Sequence, residues 1–244
     1  MTHIVAGFPN FEFGEKVFEI FQKNKIEFAE IQFPFSDPVA DGPILMRANE
    51  VSLLENKTTI AQCFDFVAKV APRFSGKIFL MGYFNTVFRF GVEKFCKAAA
   101  RAGASGLIFP DAPFDEAENE NFLAAARENN LDFVCTVAEN VSNQRLRKIA
   151  EIPAEIIYCI SRFGTTGSGD FSANLTKFLE RIRANVDKKI AVGFGIRQKS
   201  DLAQIPQSAQ IAVVGSAIAE IVFEKVSDDE KLSKIDALLQ NLRG

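Results

Sequence analysis

Two acidic residues, Glu30 and Asp41, are the side chains best placed for chemistry in this sequence. Glu30 belongs to an apolar strand pattern with Ile26, Phe28, Ala29 and Ile31 around it. An acid in such a setting is either paired or functional, because an unpaired buried charge is costly. Asp41 follows in the loop PFSDPVADGP, where Pro34, Pro38 and Pro43 each hold φ at about −65°. Two carboxylates on separate, stiff supports around one strand end suit acid–base work on a small molecule. Ser36 and Asp37, in the same loop, read as turn residues that hydrogen-bond their own backbone.

The rest of the composition narrows the chemistry. A single histidine, His3, removes a Ser–His–Asp triad, a multi-histidine zinc site and a histidine proton relay. Proton transfer is left to carboxylates or to the two tyrosines, Tyr83 and Tyr158. His3 itself, solitary and near the start, reads as a packed or solvated side chain outside the site. Cys63, Cys96, Cys135 and Cys159 are widely spaced in apolar surroundings, as buried thiols in a reducing cytoplasm would be. A net charge of −3 without a basic run argues against nucleic acid. No apolar stretch approaches the roughly 18 residues of a membrane helix, and MTHIVAGFPN shows no export signal.

Glycine marks a second candidate site. The clusters FGTTGSGD (163–170), VGFGI (192–196) and VVGSAIAEI (213–221) each follow an apolar run. Glycine lets backbone N–H groups approach an anion closely, and a helix opening at Ser216 would turn its positive end to the same place. Any one cluster is equally a tight turn or a cap. Three at adjacent strand ends point to a phosphate grip built from main-chain dipoles.

These groups need a scaffold, and the chain supplies an alternating one. Strands are predicted to begin near His3, Glu27, Lys77, Ser105, Asp132, Ile156, Lys189 and Ala209. Runs such as KIFLMGY, SGLIFP and KIAVGF suit parallel strands covered on both faces. Between them lie helical patterns such as Val92, Phe95, Cys96 and Ala99, or Phe171, Leu175, Phe178, Leu179 and Ile182. Eight strands alternating with helices over 244 residues, with no linker, predict α/β architecture: a single (β/α)₈ TIM barrel domain over 1–244. A doubly wound open sheet is disfavoured, since the first βα turn, AGFPNF, carries no dinucleotide fingerprint.

Taken together, PFSDPVADGP, YFNTVFRFGVEKFCKAAARAGASGLIFPDAPFDE, ISRFGTTG, VGFGI and VVGSAI resemble the α subunit of tryptophan synthase along nearly the whole chain. The resemblance implies a lyase that cleaves indole-3-glycerol phosphate to indole and glyceraldehyde 3-phosphate in tryptophan biosynthesis. It implies no cofactor on this chain. Pyridoxal phosphate is expected only on a β subunit, the partner in an α₂β₂ assembly. Carried over, the catalytic acids fall on Glu30 and Asp41, and phosphate binding on Gly167, Gly195, Gly215 and Ser216, with Thr166 in a lid over 164–169. Indole-pocket aromatics fall on Tyr83, Tyr158 and Phe194, and partner signalling on Asp111. Three positions depart from the family pattern: Phe8 in a turn that is usually acidic, His3 where a pocket aromatic is common, and Gln32 in place of glycine. The chain also starts almost at strand 1, without the leading helix usual in the family. An amide at Gln32 is placed to hydrogen-bond Glu30, two residues away on the same strand face. Rival readings are another phosphate-binding TIM-barrel enzyme, or an inactive barrel kept as a regulatory partner. The first would ordinarily need metal-binding histidines, or a lysine at the other strand ends from Lys77 and Lys189.

Overall fold

The computed structural model describes residues 1–160, 171–193 and 195–243. Eight strands stand among them: β1 (Thr2–Val5), β2 (Phe28–Gln32), β3 (Lys77–Met81), β4 (Gly106–Ile108), β5 (Asp132–Val137), β6 (Ile156–Ile160), β7 (Lys189–Gly193) and β8 (Ile211–Ala212). Each pairs in parallel with the next, in sequence order. The ring closes where Thr2 bridges Val214: the His3 N–H donates to the Val214 carbonyl at 3.0 Å, and the Val214 N–H to that of Met1 at 3.0 Å. The strand starts expected from the apolar runs match these bounds to within two residues. β8 is the shortest; beyond it the Val213 N–H still donates to the Val192 carbonyl of β7 at 2.9 Å before Val214 pairs with β1.

Twelve α-helices lie among the described residues. The first six are α1 (Phe11–Lys23), α2 (Pro43–Glu50), α3 (Ile60–Val70), α4 (Phe84–Phe90), α5 (Val92–Ala102) and α6 (Phe114–Asn119). The others are α7 (Phe122–Glu128), α8 (Asn143–Glu151), α9 (Phe171–Arg183), α10 (Lys199–Leu202), α11 (Ser216–Phe223) and α12 (Asp228–Arg243). Local signals set several starts. The Asn10 side chain accepts the Phe13 N–H, Thr59 and Gln62 form a reciprocal capping box, and Ser142 accepts the Arg145 N–H. Pro113 precedes α6, which begins at Phe114.

Alternation along β2 divides its side chains between two cores. Ala29 and Ile31 join the layer between strands and helices, with Phe21, Phe95 and Phe122. Phe28 faces the barrel axis with Phe79, Ile108, Val134, Ile156 and Ile211. The period of two therefore also sends Glu30 and Gln32 inward. At the N-terminal end of the barrel, the Lys189 ammonium lies 5.3 Å from the Phe28 ring centroid. Glu155 joins Lys77 (2.5 Å) and Lys189 (2.6 Å) beside it, so an aromatic ring under an ion cluster covers this floor. Both lysines thus sit at the end opposite Asp41, as the sequence reading placed them.

Candidate active site

The functional side chains gather at the C-terminal ends of the strands. Glu30 is 2% exposed, and its carboxylate is half satisfied. Oε2 lies 2.7 Å from His3 Nδ1, while Oε1 is buried with no hydrogen-bond partner among the described residues. The β1–β2 register sets this contact, because His3 is paired with Glu30 and both face the axis. His3 Nε2 reaches Gln32 Oε1 at 2.9 Å, one inward position further along β2.

Asp41 arrives from the proline-rich loop. Its backbone N–H is bonded to the Pro38 carbonyl at 2.9 Å, closing a turn that aims the side chain inward. Asp41 Oδ2 accepts from Gln32 Nε2 at 2.6 Å and from Asn49 Nδ2 at 3.2 Å. Asn49, buried on α2, also bonds the Leu45 carbonyl through Nδ2 and accepts the Phe35 N–H through Oδ1. One polar chain thus runs from Glu30 through His3 and Gln32 to Asp41 and Asn49.

One cavity contains both acids and the glycine wall. Glu30, Asp41, Tyr158, Gly195, Gly215 and Ser216 all line it, and His3 lies on its surface as well. Gly195 has φ +74°, a left-handed conformation that glycine adopts without a Cβ penalty. Gly215 is the cap of α11, and a Cβ there would lie 3.1 Å from the His3 Cβ. Both thus present bare backbone to the cavity, and α11 begins at Ser216 with its N-terminal end beside it.

Charge within the cavity follows from burial. Desolvation raises the Asp41 pKa, against the hydrogen bond from Gln32 and the nearby His3. Burial pushes His3 down, but the Glu30 hydrogen bond and the charges of Glu30 and Asp41 outweigh it, and the net shift is upward. Desolvation also raises Tyr158 well above the usual phenol range, helped by the charges of Glu30 and Asp41, so its hydroxyl keeps its proton. All four cysteines are buried free thiols, and burial, the largest cause, lifts Cys135 to about 12 and holds the others high. Among the described residues, no group of three or more His, Cys, Asp or Glu side chains is gathered as a metal site.

The chain matches the sequence profile of one family, described as tryptophan synthase alpha chain, over residues 1–243. The chain belongs to the tryptophan synthase alpha chain family. Members from Syntrophotalea carbinolica and Methanosarcina mazei are 35% and 37% identical to it, over 100% and 96% of this chain and 93% and 84% of theirs. Among solved structures, an Aquifex aeolicus protein superposes with a TM-score of 0.86 at 32% identity, covering 99% of this chain and 90% of that one. A second, from a study of the mutual activation of the tryptophan synthase α₂β₂ complex of Pyrococcus furiosus, gives 0.86 at 26% identity, covering 100% and 96%.

Against the family pattern, Glu30, Asp41, Tyr158, Gly195, Gly215 and Ser216 meet in one cavity. Thr166, Gly167 and Phe194 lie outside the described residues. Tyr83 stands differently from the expectation of an indole-pocket aromatic. It is buried behind the cavity wall, its ring stacked on Phe35 at 5.1 Å, with its hydroxyl accepting the Ala40 N–H at 3.0 Å. The cause is geometric: Tyr83 lies beyond the end of β3, where the chain has turned toward the proline-rich loop. Asp111 lies at the surface, where both its oxygens accept the Phe84 N–H at 2.9 Å and so cap α4.

Two expectations are corrected. His3 is part of the site, bonded to the candidate acid, because β1 and β2 register their inward positions side by side. The Gln32 amide bonds His3 and Asp41 instead of Glu30, since His3 fills the space between the two β2 side chains. Asn49 carried no sequence signal, because its contacts join α2 to β2 and to two loop residues.

Proposed function

We propose that this chain cleaves indole-3-glycerol phosphate to indole and glyceraldehyde 3-phosphate, as the α subunit of tryptophan synthase, with Glu30 and Asp41 as the catalytic acids. The observation that carries this reading is that two acids, Glu30 buried in the apolar barrel and Asp41 from the proline-rich loop, line one cavity. A carboxyl buried in an apolar barrel is costly to keep, so its retention beside a second acid marks a group kept for chemistry. An inactive regulatory barrel would have no use for that cost.

Protonated Glu30 gives its proton to the ring carbon that bears the glycerol chain, and positive charge spreads to the ring nitrogen. Asp41 accepts the ring N–H hydrogen bond and stabilises that charge as it develops. Glu30, now a carboxylate, takes the proton of the adjacent side-chain hydroxyl. As that oxygen becomes a carbonyl, the carbon–carbon bond breaks and its electron pair restores the aromatic ring. Glu30 ends protonated, as it began, and no cofactor is consumed. The phosphate rests against Gly195, Gly215 and the N-terminal end of α11, with Gly167 and Thr166 completing the grip. Tyr158 and Phe194 flank the ring.

The partner is a tryptophan synthase β subunit, which carries the pyridoxal phosphate and takes up the indole. Exposed apolar side chains on the segments that follow β2 and β3 support this: Val39, two residues before Asp41, and Phe88 on α4, whose start Asp111 caps. Asp111 accordingly is the residue that links the partner's state to this barrel. The whole of 1–244 acts as one barrel domain in the cytoplasm.

The test is indole release from indole-3-glycerol phosphate, with and without a β subunit. Glu30→Gln keeps the shape of the side chain and should still assemble, while turnover falls by about two to four orders of magnitude. Wild-type turnover in that variant would refute the assignment.

A further inference from the structure

The orientation of the Gln32 carboxamide is decided by its neighbours. Asp41 Oδ2 accepts at 2.6 Å, so the NH₂ of Gln32 faces that carboxylate. The carbonyl oxygen then faces His3 Nε2 at 2.9 Å and requires a hydrogen on that nitrogen. With Nε2 protonated, His3 Nδ1 and Glu30 Oε2, 2.7 Å apart, share a single proton. It rests on His3 as an imidazolium facing a carboxylate, or on Glu30 facing an imidazole lone pair. Three side chains thereby hold one another in a set direction. The same reading leaves one oxygen of Glu30, Oε1, without a partner among the described residues.

We propose that His3 and Gln32 are positioning residues that join the two catalytic carboxylates into one unit. His3 occupies Glu30 Oε2 so that Oε1 alone meets the substrate, and Gln32 ties that setting to the direction of Asp41. This rests on the assignment of Glu30 and Asp41 made above. When Oε1 gives its proton to the ring carbon, the new negative charge lies beside the proton that His3 holds on Oε2. When Oε1 takes a proton from the hydroxyl, the charge disappears and the hydrogen bond remains. His3 therefore steadies both protonation states of Glu30 without being consumed.

The charged and titratable groups around His3 are Glu30 on β2, Asp41 in the following loop and Tyr158 across the cavity; the Met1 amine also acts on Glu30. From the α11 side the bare backbone of Gly215 lies against the ring. The ionisation of His3 thus answers chiefly to the two acids.

The test uses the untagged full chain assembled with a β subunit. His3→Phe should lower kcat by about tenfold to a hundredfold, the scale of a misplaced catalytic group, while KM stays near wild type. His3→Asn, which can place an amide N–H near the former Nδ1, should recover most of kcat but lose an ionisation from the alkaline side of the pH profile. Gln32→Leu should lower kcat as well, and its effect should not add to that of His3→Phe, because the two act through one connection. A His3→Phe enzyme with wild-type kcat and pH profile would overturn the proposal.

Because His3 is the only histidine, its imidazole nitrogen resonances give a readout that needs no activity. Nε2 should keep its hydrogen across neutral pH while Nδ1 titrates, and Glu30→Gln should lower the pH of that titration. A ring that loses the Nε2 hydrogen first would sink the proposal, even if His3→Phe failed to fold. Should Glu30→Gln abolish cleavage while His3→Phe does not alter it, the catalytic assignment stands and the positioning role fails.

Discussion

The N–H of Ala40 donates to the hydroxyl of Tyr83 across 3.0 Å, so the residue before Asp41 is tied to the turn that follows β3. Two strands' worth of rigid scaffold thus hold a loop whose own hydrogen bonds are few. Tyr83 thereby helps to fix where Asp41 stands.

That role makes Tyr83→Phe informative. The ring keeps its packing on Phe35, and the variant loses one hydrogen bond, worth about 1 kcal/mol. Stability measured by denaturant should fall by about that amount. The expected kinetic effect is a fall in kcat of about tenfold or less, milder than for Glu30→Gln. A loss as deep as that of Glu30→Gln would mean that Tyr83 meets the substrate directly.

Stability should fall with rising pH in two separate windows, one for each raised group. His3 is raised above its usual 6.5 in the folded chain, so the folded state binds the proton more tightly than the unfolded one. Its contribution is fully present below pH 6.5 and is lost as pH rises through the raised value. Asp41 is also raised, from 3.8, so its ionisation weighs against the fold above that value. Asp41→Asn should therefore raise the Tm at pH 7 while destroying cleavage, as an acid kept for activity at the expense of stability would. His3→Phe should remove the decline in Tm above pH 6.5. Thermal melts between about pH 3 and about pH 9 check both windows.

Gly195 carries a conformational demand without a packing one. Its φ is +74°, and a Cβ built on it meets nothing within 4 Å. Gly195→Ala should cost about 1–2 kcal/mol through the left-handed backbone alone. If the backbone must instead shift, the anion grip loosens and KM for the phosphate ester rises, with kcat less affected. Steady-state kinetics beside a denaturation curve separate the two responses.

The ion cluster at the barrel floor supplies a control far from the chemistry. Glu155 is drawn below the usual carboxylate range by its hydrogen bonds to Lys189 and Lys77, yet all three side chains remain partly exposed. Partly exposed pairs contribute about 1 kcal/mol or less and are screened by salt. Glu155→Gln should lower stability by that much in dilute buffer, by less at high salt, and leave cleavage unchanged. An altered kcat would show that the floor is coupled to the site.

Much of this protein could be read along the chain because the signals are local. Apolar runs of strand length, helical periodicity and the clusters around Gly195 and Gly215 carry their physics within a few residues. That is enough to mark eight strands and a glycine-built wall. Glu30 declared itself through contrast with its apolar neighbours, and Asp41 through the stiffness of its loop. Tertiary structure decided what those residues meet. His3 lies 27 positions from Glu30, and only the β1–β2 register brings Nδ1 to Oε2; a slip of one residue would turn the ring away from the barrel axis. Asn49 and Tyr83 likewise act across elements, through contacts that depend on where the chain turns after leaving a strand. Composition and period select the elements, but hydrogen-bond partners are chosen by packing in three dimensions, and that choice joined His3 to Oε2 of Glu30.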